Sequence, residues 1–230
     1  MLGGTTVGLM LPLHWFVISP CGLCSEPLQG AATRHSGALC GACQERLALP
    51  AGGLHGNNPI PWWSTGVYGG SLRELLLQLR RRPRPELVRI LAGGMAETLR
   101  QGGTPGEQPL LVPIPSWKRQ ANPLPGLLCA ALERHGGLRQ AELLERSRPV
   151  LGQHHLGRDL RLANQAGAFR CRRPPGVGER ARRPLLIVDD ILTTGATVCS
   201  AAEALQQNGW RVLGAVCLAR TPQGARQAVL

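Results

Sequence analysis

The chain has 230 residues, 43% of them apolar, and a formal charge of +12 from 26 Lys or Arg against 14 Asp or Glu. That length and apolar content can bury a real core, which excludes a disordered or fibrous chain, and no internal repeat or low-complexity tract appears. The positive excess points to an anionic partner, or to a compositional arginine bias alone, since Lys118 is the only lysine.

Residues 1–18 are apolar enough to raise a signal peptide or a membrane span. They lack a basic start, carry Pro12 and His14, and are short for a span. They read as a helix packing the next segment onto the core, and the chain reads as cytoplasmic or peripheral at the inner membrane face. Next come Cys21-Gly-Leu-Cys24 and Cys40-Gly-Ala-Cys43, two CxxC pairs with fifteen residues between them. Each pair aims two thiolates at one point, and four thiolates make the closed tetrahedral set of structural Zn²⁺. Two disulfides are the alternative, and they need an oxidising compartment that nothing else supports. His35 is a spare, and Cys129, Cys199 and Cys217 lie on apolar stretches as small core residues.

A division near Gly66 separates a zinc module over 1–66 from a larger domain over 67–230. Trp62-Trp63, behind Pro59 and Pro61, begins the first strand or a hinge. Leu72, Leu75, Leu76 and Leu79 form a helical stripe, and 87–99 reads as a second helix with a core face. Between them Arg80, Arg81, Arg82 and Arg84 make one basic cluster; Arg170, Arg172, Arg173, Arg180, Arg182 and Arg183 make another. Such clusters suit a nucleic-acid backbone, but without interleaved aromatic residues a solvated surface explains them equally. Residues 110–114 read as a strand, 127–134 as a helix and 211–218 as a last strand. Strands alternating with helices predict an α/β fold around a parallel sheet, with ligands at the strands' carboxyl ends. The turn over 113–119 would face such a ligand with Lys118 and Arg119. Residues 153–164 would cover it, with Arg158 and Arg161 as phosphate contacts or ordinary surface, and His154-His155 reads as solvated loop.

The most informative stretch is 185–197, LLIVDDILTTGAT. Its apolar start predicts a strand buried on both faces. Asp189 and Asp190 follow, then a small hydroxyl-rich turn, then Val198, Ala201, Ala202 and Leu205 at helical spacing up to Asn208-Gly209. A turn feeding a helix start offers unpaired N–H groups to a phosphate. Gly195 lets backbone approach an anion, Thr193, Thr194 and Thr197 add hydroxyls, and Ala196 keeps the turn small. The carboxylates suit a polyol such as ribose, or hydrated Mg²⁺, and would stabilise positive charge developing on a ribosyl carbon. A plain strand–turn–helix with a threonine cap is the simpler reading. A P-loop is excluded, because no glycine-rich lysine motif exists.

At these residues the chain resembles the phosphoribosyl-pyrophosphate signature of type I phosphoribosyltransferases. YGGSLRELLLQL over 68–79, LVPIP over 111–115, the spaced Gln153, Leu156, Arg161, Asn164, Ala168 and Phe169, and the four cysteines resemble the ComF family of competence-associated proteins. The resemblance implies a parallel-sheet phosphoribosyltransferase-like domain with an N-terminal zinc-ribbon-like module. It also implies phosphoribosyl pyrophosphate with Mg²⁺ as ligand, and a role in DNA uptake beside single-stranded DNA and an uptake helicase or processing protein. A working phosphoribosyltransferase of nucleotide metabolism is the alternative. The stretch 120–126 reads QANPLPG where ComF proteins carry R-G-F-N-Q, which leaves the binding half intact and separates binding from turnover.

Overall fold

A computed structural model describes residues 20–28, 39–103, 108–116, 122–147, 167–174 and 183–222. Its centre is a sheet that is parallel except at one edge. In spatial order it runs β1 (Leu54–Gly56), β2 (Trp62–Val67), β9 (Val212–Arg220), β7 (Leu185–Val188), β3 (Leu110–Pro113) and β4 (Arg139–Gln140), and only β1–β2 is antiparallel. Short β8 (Ile191–Leu192) adds to the far end of β9. The expected strands over 110–114, 185–188 and 211–218 are β3, β7 and β9. All four residues of β7 are buried, as a central parallel strand requires.

Strand alternation then sorts two cores. Leu186 and Val188 face one layer with α2 (Gly70–Arg81), α3 (Pro85–Gln101) and α4 (Leu124–Gly136). Leu185 and Ile187 face the other, with α5 (Ala196–Gln207) and the hairpin of β5 (Leu144–Arg146) and β6 (Phe169–Cys171). The stripe Leu72, Leu75, Leu76 and Leu79 is wholly buried on α2. Pro83 and Pro85 then end that helix and open α3, because proline cannot continue a helix but suits a first turn. Helix α4 stops at Gly137, whose φ of 65° is the left-handed conformation that glycine adopts without Cβ strain.

Helix α1 (Gly41–Arg46) carries Cys43. Cys21, Leu28, Leu39, Cys43 and Leu47 are buried in the same cluster as α2 and α3, so the cysteine-bearing segment rests on the main core. The expected division near Gly66 falls inside β2, where Gly66 pairs with Ala219 of β9. The helix expected over 1–18 and the cover expected over 153–164 lie outside the described residues. No helix among the described residues is long and apolar enough to cross a membrane.

Candidate functional site

The carboxyl end of β7 carries Asp189 and Asp190, and the same alternation that sorts the core parts them. Asp190 turns toward the α2 side, where its carboxylate is fully buried. Arg80 meets it with two parallel bonds, Nε to Oδ2 at 2.6 Å and Nη2 to Oδ1 at 2.8 Å. Asn122 Nδ2 adds a third donor to Oδ2 at 3.2 Å. A bidentate guanidinium gives a buried carboxylate two charge-assisted hydrogen bonds, roughly twice as strong as neutral ones. The acceptor positions of Asp190 are thus mostly filled.

Asp189 turns to the opposite layer. Its Oδ1 accepts the backbone N–H of Asp190 at 2.9 Å, while the backbone N–H of Asp189 itself donates to Val216. Burial and the charge of Asp190 both push its carboxyl well above the ordinary carboxylate range, which the field of Arg80 only partly offsets. The nearby guanidinium of Arg146 lies 4.6 Å above the Phe169 ring and donates from Nε to the Pro115 carbonyl at 3.0 Å. That bond ties β5 to the turn following β3. Two neighbouring acids therefore occupy two environments, one sealed by a guanidinium, the other biased toward holding a proton.

The turn after them is anchored from beneath. Arg220, at the end of β9 and 4% exposed, donates from Nη1 to the carbonyls of Leu192, at 3.0 Å, and Thr193, and its guanidinium stacks 5.2 Å from the Trp62 ring. Thr194 Oγ1 accepts the Ala196 N–H at 3.3 Å, while Thr193 and Thr197 are half-buried and Ala196 is buried. Gly195 caps α5 with φ 86°. Pro59 packs closely against it: a Cβ on Gly195 would lie 2.3 Å from the Pro59 Cγ. Glycine is required twice over, by its backbone angle and by that ring. Lys118 and Arg119 lie outside the described residues.

Arg80, Asn122, Arg146 and Arg220 join the site residues expected from sequence only through the fold. For Arg80 and Asn122 a signal existed: adjacent residues leaving a strand point apart, so Asp190 needed its own cation on the helix side. Arg220 had none short of the fold. The basic clusters also divide. Arg84 donates to the Gly22 carbonyl in the first cysteine knuckle, and Arg81 and Arg82 are exposed between that contact and Arg80. In the second cluster Arg170 and Arg172 are answered by Glu142 and Glu145 across β5–β6.

The sulfur atoms of Cys21, Cys24, Cys40 and Cys43 lie within 4.8 Å of one another. Cys24 and Cys40 are 3.7 Å apart, close to the roughly 3.8 Å edge of a tetrahedron with Zn–S bonds near 2.3 Å. Burial opposes ionisation of Cys21, but backbone donors of Cys24, Cys40 and Leu23 outweigh it and bring the thiol down to about 6. Burial and the neighbouring sulfurs push Cys43 up to about 12. Four crowded thiols with such conflicting tendencies fit a divalent soft cation, and all eight cysteines of the chain are free of disulfides.

Residues 164–228 match the model of the phosphoribosyl transferase domain family. The chain is 30% identical over 225 residues to the DNA utilization protein YhgH of Escherichia coli strain K12, covering 90% of this chain and 92% of that protein. The same protein of Escherichia coli O6:H1 matches equally, at 30% over 225 residues with the same coverage. That of Salmonella typhi is 30% identical over 226 residues, again 90% of this chain and 92% of the relative.

Proposed function

The chain belongs to the family of the DNA utilization protein YhgH, and we propose that it binds phosphoribosyl pyrophosphate with Mg²⁺ at the β7–α5 junction, as a ComF-type protein of DNA uptake. The observation that carries this reading is the order of groups at one sheet end: Asp189, Asp190, then the turn of Thr193–Thr197 opening α5. Backbone N–H groups of that turn and the threonine hydroxyls receive the ribosyl phosphate. Asp189, whose carboxylate is not claimed by a guanidinium fork, accepts a ribose hydroxyl. Asp190, locked to Arg80, is the positioning residue that fixes the strand end. This acidic tip would hold Mg²⁺, which would supply neutralising charge for the pyrophosphate. Lys118 and Arg119 neutralise the pyrophosphate. The cysteine cluster holds structural Zn²⁺.

The nucleic-acid half of the proposal rests on Arg81 and Arg82, exposed beside the cysteine knuckle that Arg84 touches. They supply phosphate contacts to single-stranded DNA on the cytoplasmic side, where an uptake helicase would deliver it. Binding of this kind weakens steeply with salt and ignores sequence.

Turnover is a second reading, favoured by the raised proton affinity of Asp189. In a transfer to a base or amine, the acceptor nitrogen bonds to the ribosyl carbon as its bond to pyrophosphate breaks, and a carboxylate of this kind takes the acceptor's proton. Calorimetry with phosphoribosyl pyrophosphate and Mg²⁺ tests the first reading. Saturable heat is expected from the intact chain and none from the Asp189→Asn, Asp190→Asn double variant; equal heat from both would sink the site. Pyrophosphate release on adding candidate bases separates turnover from binding alone.

A further inference from the structure

Strand β9 ends on an arginine, Arg220, that is 4% exposed. Arginine is almost never buried so deeply unless acceptors meet it, because a desolvated cation is costly. Backbone carbonyls from two separate segments meet this one. Nη1 donates to the Leu192 carbonyl at 3.0 Å and to that of Thr193, in the turn that opens α5. Nη2 reaches the Asn58 carbonyl at 3.5 Å, in the loop before β2. The Trp62 ring lies 5.2 Å from the guanidinium, and its Nε1 donates to the same Asn58 carbonyl at 3.1 Å. One cation thus joins segments 28 and 162 residues away in the chain.

The backbone of Arg220 is held as firmly as its side chain. It pairs with Leu192 across β8–β9 and with Val67 across β2–β9, and its carbonyl accepts the Tyr68 N–H at 2.8 Å. The Thr221 N–H is a second donor, at 3.0 Å, to the Leu192 carbonyl that Nη1 meets.

Peptide geometry carries this grip across the turn. A trans peptide is planar, and its C=O and N–H point in opposite directions. The Leu192–Thr193 and Thr193–Thr194 peptides are both trans. With both carbonyls drawn onto Arg220, the N–H groups of Thr193 and Thr194 point away from it. Among the described residues no backbone carbonyl accepts either N–H. Successive N–H groups turned outward in this way form the kind of concavity that holds an anion. The clamped loop closes one side of it, with the Pro59 ring against Gly195. The guanidinium beneath is a full positive charge that solvent screens little.

We propose that Arg220 is a positioning residue for the ribosyl phosphate, turning the Thr193 and Thr194 N–H groups toward it and placing a buried charge beneath them. The proposal rests on the phosphoribosyl reading of the β7–α5 junction and names the donors within that turn. Arg220 acts through two peptides and not by touching the ligand.

Two substitutions separate the fork from the charge. Lysine keeps the charge on a single nitrogen, which cannot meet the turn and the Asn58 loop together, whereas glutamine has neither charge nor fork. The test uses the full zinc-loaded chain with ribose 5-phosphate, and with phosphoribosyl pyrophosphate and Mg²⁺ beside it. In amide proton–nitrogen spectra of the intact chain, the Thr193 and Thr194 signals should move most as ribose 5-phosphate is added. By calorimetry Arg220→Gln should bind it about tenfold more weakly or worse, at a temperature where melts show the variant folded. Arg220→Lys should recover part of that affinity and remain about threefold or more below the intact chain.

Unchanged affinity in folded Arg220→Gln would overturn the proposal and leave the phosphoribosyl site standing. Saturable binding whose amide changes miss Thr193 and Thr194 would do the same. Where Arg220→Gln does not fold, Arg220→Lys decides, and no loss of affinity there overturns the clamp. Binding of phosphoribosyl pyrophosphate but not of ribose 5-phosphate overturns the proposal alone. Binding of neither by the intact chain sinks the phosphoribosyl reading and this proposal with it.

Discussion

The molecule gathers negative side chains in two places and balances them in opposite ways. At the cysteine cluster four sulfurs converge within 4.8 Å, an arrangement that fits a cation from outside the chain. At the end of β7 two carboxylates are neighbours in sequence, and one is met by a cation from within, Arg80, 110 residues away. The first arrangement follows from local spacing and has the geometry to hold a metal. The second exists only once the sheet and α2 have come together. Under the proposed zinc site, stability at the cysteines should follow metal concentration, and stability at the acids folding itself.

Removing the metal is the sharpest way to break that comparison. Structural zinc is worth about 10–16 kcal/mol in zinc-finger peptides. Here the cysteine segment shares its buried cluster with α2 and α3, through Leu28, Leu39 and Leu47. A chelator, or Cys40→Ser, should therefore lower the melting temperature of the whole chain in one transition and open new protease sites before residue 60. Two separate calorimetric transitions would show instead that the segment folds as an independent unit.

Arg80→Ala attacks the other side of the comparison. It strands a fully buried carboxylate, and breaking a buried pair by removing one partner costs roughly 3–5 kcal/mol. Because Asn122 remains, the variant should recover part of that loss when Asp190→Asn is added, giving a double-mutant coupling of more than about 1 kcal/mol by denaturant unfolding. Additive losses would mean that the pair is not the bond that holds the strand end.

What could be read from residues alone follows the same division. The CxxC spacing, the leucine stripe of α2 and the apolar run of β7 are local patterns, each visible within a few residues. The order of acids, threonines and glycine at 189–197 was visible for the same reason. The partners of that site were not, because they arrive through contacts of high sequence separation: Arg80 from α2, Arg220 from β9, and Pro59 from the loop before β2. The basic cluster over 80–84 is the instructive case. Read as one surface, it holds one residue that is structural, one that joins the cysteine knuckle and two that face solvent. Helical periodicity separates such neighbours only when the buried face is known.

Gly195→Ala is a smaller perturbation of the acid side. It forces a left-handed backbone on a residue with a Cβ, at about 1–2 kcal/mol, and drives that Cβ into Pro59. Unfolding should register about 2 kcal/mol or more, and phosphoribosyl pyrophosphate binding should fall because the turn moves. A matching change at Gly126, where a Cβ would meet nothing within 4 Å, should leave both nearly unaltered.

The smallest effect is a slope with pH, and its sign is set by Asp189. Asp189 has a folded-state pKa raised above its unfolded value, by burial and then by Asp190. Below the unfolded value, near 3.9, both states hold the proton and its contribution is fully present. As pH rises, the unfolded state releases the proton first, so stability falls until the folded group also ionises. Asp189→Asn removes that titration. Its stability, measured by urea unfolding from pH 4 to pH 8, should decline less than that of the unaltered chain. A parallel decline in both would mean that burial at the strand end does not hold a proton on Asp189.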